Sequence, residues 1–248
     1  MSTTNREQVK HEIWLHRLLA EILDDKVLLN KVFFKGGTCA RMLGFLDRFS
    51  VDLDFDLSQK ANKENLREKF HIIFKNLNLE IKDESKEALQ FFLKYPLENN
   101  LKGRNTIKLE ILDKAYNANE YAPFFIPGVN RTGICQTVET MFAHKLIAPI
   151  SRTENQGKVA GRDIYDIHYF FLQGQSYSEN VILERRGVSS LDYLIELRDF
   201  VDKRITRRTI DEDLNTLLDY NKFNAVRKYL KEETIGFINK EIERIRAL

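Results

Sequence analysis

The sequence predicts an α+β fold, with a mixed β-sheet and flanking helices over residues 1–135 and an all-helical C-terminal half over residues 136–248. Two observations predict it. Apolar runs of strand character are confined to the stretch between Val32 and Asp113, whereas beyond residue 137 only helical periodicity occurs. The chain is long enough, at 248 residues with 43% apolar, to bury a substantial core, and neither a low-complexity linker nor an internal repeat separates its halves.

The elements follow in order. Val9, Ile13, Leu15, Leu18, Leu19, Ile22 and Leu23 recur near every 3.6 residues and predict an amphipathic helix over 6–24. Val32-Phe33-Phe34 is a short strand that ends at Gly36-Gly37, and Thr38, read as an N-cap, opens a helix through Ala40, Met42, Leu43 and Leu46. From Val51 to Leu57 apolar and acidic residues alternate, which is the period of a strand and places Asp52, Asp54 and Asp56 on one face. A helix over 61–77 precedes runs at 78–82, 88–97 and 105–113 that read as strands joined by hairpins. Pro123, Pro127, Gly128 and Gly133 predict an irregular connection, with the sheet finished before a helix at 137–150. Further helices are expected at 163–173, 191–205, 210–219, 222–231 and 233–246.

Composition narrows the function. A balance of 39 Lys and Arg against 37 Asp and Glu leaves a net charge of +2, too little to steer the whole molecule onto a polyanion. No apolar run reaches the roughly 18 residues of a membrane span, and the start MSTTNREQVKHE lacks the apolar core of a secretory signal, so a cytoplasmic location and no membrane partner are expected. Cys39 and Cys135 form neither a metal-ligand cluster nor a disulfide framework and read as free thiols. The five histidines, His11, His16, His71, His144 and His168, show no ligand spacing and read as structural or surface residues.

Chemistry concentrates in one segment. Gly36-Gly37-Thr38 before a helix allows backbone N–H groups to approach a phosphate at the positive end of the helix dipole. Asp52 and Asp54, two apart on a strand, project carboxylates from one face roughly 6 to 7 Å apart, a pattern that suits a hard divalent cation such as Mg²⁺ whose other ligands are substrate phosphates and water. Arg48 and Ser50 lie between the turn and the acids and join Gly36, Gly37 and Thr38 as candidate nucleotide-binding residues.

Read together, the GGT turn, the helix and Arg48-Phe49-Ser50-Val51-Asp52-Leu53-Asp54 resemble the AbiEii/AbiGii-type abortive-infection toxins, a type IV toxin–antitoxin branch of the polymerase-beta-like nucleotidyltransferases. Downstream, Glu139 to Ala148 resembles that branch's lysine motif, and Arg162-Asp163-Ile164-Tyr165-Asp166 its R/K-D-x-x-D motif, so the likeness spans residues 31–170. Two departures stand out: Pro149 should break the helix after the lysine motif, and His144 stands where an acid is common.

The resemblance implies a nucleotidyltransferase-like sheet, an NTP substrate and Mg²⁺ held by Asp52, Asp54 and a third carboxylate. Alternation in Ile107-Lys108-Leu109-Glu110-Ile111 makes Glu110 the candidate, with Asp113 as the other possibility. It further implies that Lys145 contacts phosphate and that at least one of Asp163 and Asp166 serves the active site by orienting Lys145 or Arg48, giving a catalytic set of Asp52, Asp54, Lys145, Asp163 and Asp166. The helical half would then complete the active site. The expected reaction moves a nucleotidyl group from an NTP to an RNA acceptor, with tRNA leading, in toxin–antitoxin or phage-defence biology with a cognate antitoxin protein. An NTP-binding module without transferase activity, or transfer to a protein acceptor, are the alternatives. A basic group at Lys203, Arg204, Arg207 and Arg208, with Arg185 and Arg186 nearby, is a candidate phosphate-backbone contact, and Lys102, Arg104 and Arg131 form a second.

Overall fold

The computed structural model describes residues 3–59, 61–96, 104–113 and 115–247. Leu97 and Lys102 lie outside the described residues. Two compact units are present, one of Met1–Ala115 with Tyr121–Gln136, the other of Tyr116–Glu120 with Thr137–Leu248.

The first unit contains α1 (Thr3–Asp24), α2 (Lys26–Leu29), β1 (Val32–Lys35), α3 (Gly36–Met42), β2 (Leu53–Leu57), α4 (Lys63–Asn76), β3 (Glu80–Glu84), β4 (Leu89–Lys94), β5 (Thr106–Leu112), β6 (Tyr121–Ile126) and β7 (Arg131–Gln136). Its strands form one seven-stranded mixed sheet in the order β3-β4-β5-β2-β1-β7-β6. β2 runs parallel to β5 and β1 parallel to β7, while the remaining pairs are antiparallel. Helix α1 buries Leu15, Leu18, Leu19 and Ile22 completely, as its spacing requires. Asn62 caps α4 by accepting from Asn65 N, and that helix buries Leu66, Phe70, Ile73 and Phe74. Leu89, Phe91 and Leu93 of β4 and Ile107, Leu109 and Ile111 of β5 fill the covered side of the sheet, so Gln90, Phe92, Thr106, Lys108 and Glu110 face away from it.

Four sequence expectations need correction. The stretch punctuated by prolines and glycines is a β-hairpin, β6 and β7, and the sheet therefore continues to residue 136. Pro123 is tolerated because β6 is the edge strand, where a missing N–H costs no ladder bond, and Asn130, at φ 52°, supplies the tight turn. Helix α3 begins at Gly36, with Lys35 as its N-cap residue, so Thr38 is inside the helix and not its cap. The strand expected from Val51 starts at Leu53, which leaves Asp52 just ahead of it.

The second unit is helical: α5 (Val138–Gln156), α6 (Gly161–Leu172), α7 (Glu179–Arg186), α8 (Ser190–Arg204), α9 (Arg207–Leu214), α10 (Tyr220–Val226) and α11 (Leu230–Arg246). Met141, Phe142, Leu146 and Ile147 of α5 and Ile164, Ile167 and Phe170 of α6 are buried, as are Leu194, Leu197 and Val201 of α8 and Ile238 and Ile242 of α11. Here the fourth correction falls: α5 runs through Pro149 to Gln156 instead of breaking. The proline deletes one i→i−4 bond, but apolar packing on both sides of it holds the helix, and the Thr153 hydroxyl donates to the Pro149 carbonyl at 3.0 Å. Helix α7 was not anticipated. Its Ser178 cap and Gly187 terminator are local signals, but eight residues are too short for periodicity to speak.

Candidate active site

The glycine turn and the acids meet through β1 and β2. In their antiparallel register Lys35, the last residue of β1, lies opposite Asp54, so the chain turns into α3 directly beside the Asp54 carboxylate. Gly36 adopts φ +81°, and a Cβ placed there would stand 2.5 Å from Asp54 Oδ2. Both facts demand glycine at this position. Gly36→Ala should cost the about 1–2 kcal/mol of a left-handed residue plus the displacement of Asp54, whereas Gly44→Ala, at φ +82° with nothing within 4 Å, should cost the first contribution alone. Equal losses for the two variants in chemical denaturation would show that the approach to Asp54 is not tight.

Thr38 is fully buried; its hydroxyl donates to the Asp52 carbonyl and shares a 2.9 Å hydrogen bond with Ser50 Oγ. It thereby ties the first turn of α3 to the chain entering β2. Arg48 is buried and donates to the carbonyl of Phe49 at 3.1 Å, in the same entering segment. His11 of α1, read from sequence as structural or surface, is buried and holds the Val51 carbonyl through Nε2 at 2.8 Å.

The parallel pairing of β2 with β5 places Glu110 directly beside Asp54. Asp113, by contrast, lies past the end of β5 and pairs with Lys63, whose ammonium holds its carboxyl below the usual range. Geometry thus groups Asp52, Asp54 and Glu110 and leaves Asp113 aside. Burial is the main reason that the Asp54 carboxyl is pushed up to about 6, and repulsion from Asp52 and Glu110 adds to it. Asp56 shares the strand face but has a different fate: at 1% exposure it accepts from Lys35, from the Tyr121 hydroxyl at 2.8 Å and from Gln136 Nε2 at 2.8 Å. It is a neutralised interior acid, not a free donor.

Among the described residues no group of three His, Cys, Asp or Glu side chains is gathered closely enough to enclose a metal ion. The flanking acids are engaged elsewhere, Asp52 with Arg104 at 3.2 Å and Glu110 with Lys108 at 2.9 Å and with Gln90. The chemistry of the set nonetheless fits Mg²⁺: three carboxylates, all oxygen donors, two of them on the adjacent strands β2 and β5 and the third just ahead of β2, with the central one carrying a repulsion that a divalent cation would relieve.

Within the helical unit, the lysine motif and the R-D-x-x-D motif meet by antiparallel packing of α5 on α6. Lys145 Nζ lies 2.8 Å from Asp166 Oδ2, and seven residues on, Arg152 grips Asp163 through Nε at 2.7 Å and Nη2 at 3.2 Å. Asp166 is therefore the partner of Lys145, and Asp163 belongs to Arg152, a residue that sequence reading passed over although it lies two helical turns beyond Lys145. His144 accepts from Arg185 at Nδ1 and contacts Asn119 Oδ1 through Nε2, both at 2.7 Å, a structural pairing in which Nε2 carries the proton.

The family model described as nucleotidyl transferase AbiEii toxin, Type IV TA system, matches residues 17–232. The chain belongs to this family. As an AbiEii family member it is a nucleotidyltransferase, and membership implies an NTP substrate and a cognate antitoxin. Two solved structures from Helicobacter pylori share its fold: JHP933, at 21% identity with a TM-score of 0.53 over 97% of each chain, and a protein described as a candidate nucleotidyltransferase, at 21% identity with a TM-score of 0.59 over 99% of each chain. Among curated proteins, none matches. No helix among the described residues of this AbiEii protein is long and apolar enough to cross a membrane.

The basic groups are not the continuous helical face that their spacing suggests. Helix α8 ends at Arg204 and α9 begins at Arg207, with Thr206 capping Thr209 N between them, so Arg204 and Arg208 are not one turn apart on one helix. Arg208 is paired with Glu212, and Arg186 with Glu154 and Glu196. Arg131, from the second group, is taken by Asp24 at 2.5 Å.

Proposed function

We propose that this AbiEii protein transfers a nucleotidyl group from an NTP to a hydroxyl of an RNA acceptor, with tRNA the first acceptor to test, and that Asp52, Asp54 and Glu110 hold Mg²⁺ for the reaction. The observation that carries the reading is the convergence of three carboxylates around Asp54 at the head of the Gly36 turn. Mg²⁺, when bound, would neutralise charge on the triphosphate and polarise the reacting phosphate. The acceptor oxygen bonds to the α-phosphorus, the bond to the β-phosphate breaks, and pyrophosphate leaves with release of the hydroxyl proton. The chain's own contribution is placement. Gly36, Gly37 and the first turn of α3 present backbone N–H groups and a helix N-terminus to the phosphates, while Thr38 with Ser50 and Arg48 fix the segment that carries Asp52. Lys145, oriented by Asp166, takes the phosphate-contact role that the family resemblance implies. Action in phage defence and in the cytoplasm completes the proposal.

Incubation with each radiolabelled NTP, Mg²⁺ and total RNA tests it, label being expected in RNA and absent with Asp52→Ala at unchanged circular dichroism. Asp52 lies just ahead of β2 with a partly exposed side chain that packs no core, so the fold should survive its removal. Label on protein alone, or full labelling by Asp52→Ala, would overturn the assignment. Gly37→Val should likewise weaken NTP binding more than stability, because a β-branched side chain obstructs backbone approach to phosphate. An unchanged calorimetric affinity would remove the turn from the site.

A further inference from the structure

The acids of the site are not bare. One face of β5 and the chain leading into it carries Arg104, Thr106, Lys108 and Glu110, alternating with buried Ile107 and Leu109. Two of these residues are cations, and each is placed on one acid: Arg104 Nη2 stands 3.2 Å from Asp52 Oδ1, and Lys108 Nζ stands 2.9 Å from Glu110 Oε2. Asp54 lies beside Glu110 in the ladder, and its carboxylate, felt by both acids and by Lys108, has no hydrogen bond or ion pair of its own among the described residues. Three carboxylates and two cations thus share the corner of β2 and β5.

These pairs are easily exchanged. The Arg104–Asp52 pair is exposed, its side chains at 52% and 36%, and exposed ion pairs are worth only about 0–1 kcal/mol; the Lys108–Glu110 pair is half-buried, at 28% and 23%, with the Lys108 side chain still reaching water. Arg104 uses Nη2 on Asp52 and Nε on the Thr106 carbonyl, which leaves Nη1 without a partner among the described residues. Its backbone, however, is anchored. The Tyr95 hydroxyl donates to the Arg104 carbonyl at 2.6 Å, and Tyr95 is itself buried and stacked on Trp14. A fixed backbone with a loosely held, forked cation beside an acid site suits a group that must change partners. Divalent metal on Asp52 and Glu110 would repel both cations, and a triphosphate arriving there would offer them phosphate oxygens, for which a guanidinium has bidentate geometry.

We propose that Arg104 and Lys108 are phosphate-binding residues of the nucleotide site, which pair with Asp52 and Glu110 and are passed to the triphosphate when nucleotide and metal enter. This rests on the reading of Asp52, Asp54 and Glu110 as the metal-holding acids. It goes further in assigning two cations that neither the glycine turn nor the lysine motif includes, and in giving them two alternating sets of partners.

The exchange makes a prediction of opposite signs. Arg104→Met and Lys108→Met in the full-length protein remove a competitor from an acid, so binding of Mn²⁺ alone, followed by electron paramagnetic resonance, should tighten by about 3- to 10-fold. The affinity for a non-hydrolysable NTP analogue at saturating Mn²⁺ should weaken by about 10- to 100-fold in the same variants, the worth of a hydrogen bond to a charged group. Arg104→Lys should fall between, since it keeps the charge and loses the fork. Weakening of both affinities would mark a purely structural role and overturn the proposal, as would tightening of both, which would mark counterions with no phosphate role. Unchanged NTP affinity with reduced RNA retention in filter binding would also overturn it, by placing the cations on acceptor phosphates. Asp54→Asn is measured in parallel. If wild type and Asp54→Asn bind Mn²⁺ equally, the reading of the acids fails and takes the proposal with it; if they differ while the Arg104 and Lys108 variants match wild type, the proposal alone fails.

Discussion

Asp54→Asn is expected to abolish nucleotidyl transfer, by about 10³-fold or more, and at the same time to stabilise the metal-free protein by about 2–3 kcal/mol at pH 7. The two effects share one cause. Burial and two neighbouring carboxylates raise the Asp54 carboxyl from 3.8 to about 6, so the fold prefers the protonated acid and is strained by the charge that catalysis needs. The sign follows from linkage. A carboxyl raised on folding contributes stability that is complete below 3.8 and disappears as pH rises through about 6. The asparagine variant, nearly isosteric and never charged, escapes that loss. Its advantage over wild type should therefore be small at pH 4, grow between pH 4 and 6, and level off above. Denaturant titrations across that range without divalent ions measure it, and an advantage that does not change with pH would refute the account. Adding Mn²⁺ at pH 7 should close the gap by stabilising wild type alone, because a ligand that binds only the folded state adds its binding energy to the fold.

The second large effect falls on the helical unit. Asp166→Ala is expected to cost about 3–5 kcal/mol, since it strands an ammonium in the interior. Asp166 is completely buried, and the Lys145 side chain that it holds is only 16% exposed. Asp163→Ala should cost less, because the Arg152 side chain is 27% exposed and can turn to water. The double variant Lys145→Met with Asp166→Leu should recover most of the stability, as apolar replacement of a buried pair commonly does, and should recover none of the transfer activity. Thermal melts followed at 222 nm read the first outcome and RNA labelling the second. A double variant that regained activity would show the pair to be structural only, and one that stayed unstable would show that Asp166 supports the fold through more than Lys145.

Much of this protein could be read from its residues one stretch at a time. Period-two alternation over Leu53–Leu57, a double glycine ahead of a helix, and acids two apart are short-range patterns, and short-range patterns survive in the sequence because backbone dihedrals and side-chain direction are set locally. The family motifs were legible for the same reason: the lysine and R-D-x-x-D motifs each lie within one helix, and the glycine turn and its acids lie on consecutive elements, α3 and the start of β2. Hairpin β6–β7 was hidden because proline and glycine speak against a strand locally, and only a place at the sheet edge makes Pro123 harmless. Helix α7 was hidden because its signal is all caps and little period.

Which acid does what was decided elsewhere. Alternation puts Asp54 and Asp56 on one face with equal claims, but strand order brings Lys35, Tyr121 and Gln136 onto Asp56, while Gly36, Asp52 and Glu110 surround Asp54. Glu110 rather than Asp113 sits beside Asp54 through a parallel pairing whose partners lie 56 positions apart in the chain. Asp166 rather than Asp163 meets Lys145 because α5 and α6 pack antiparallel, and Arg104 reaches Asp52 across 52 positions. Residue types and their spacing determined that a strand of acids follows a glycine turn. Burial, register and charge neighbours, which are properties of chain segments brought together from afar, determined which carboxylate is neutralised, which is strained and which is free to exchange its partner.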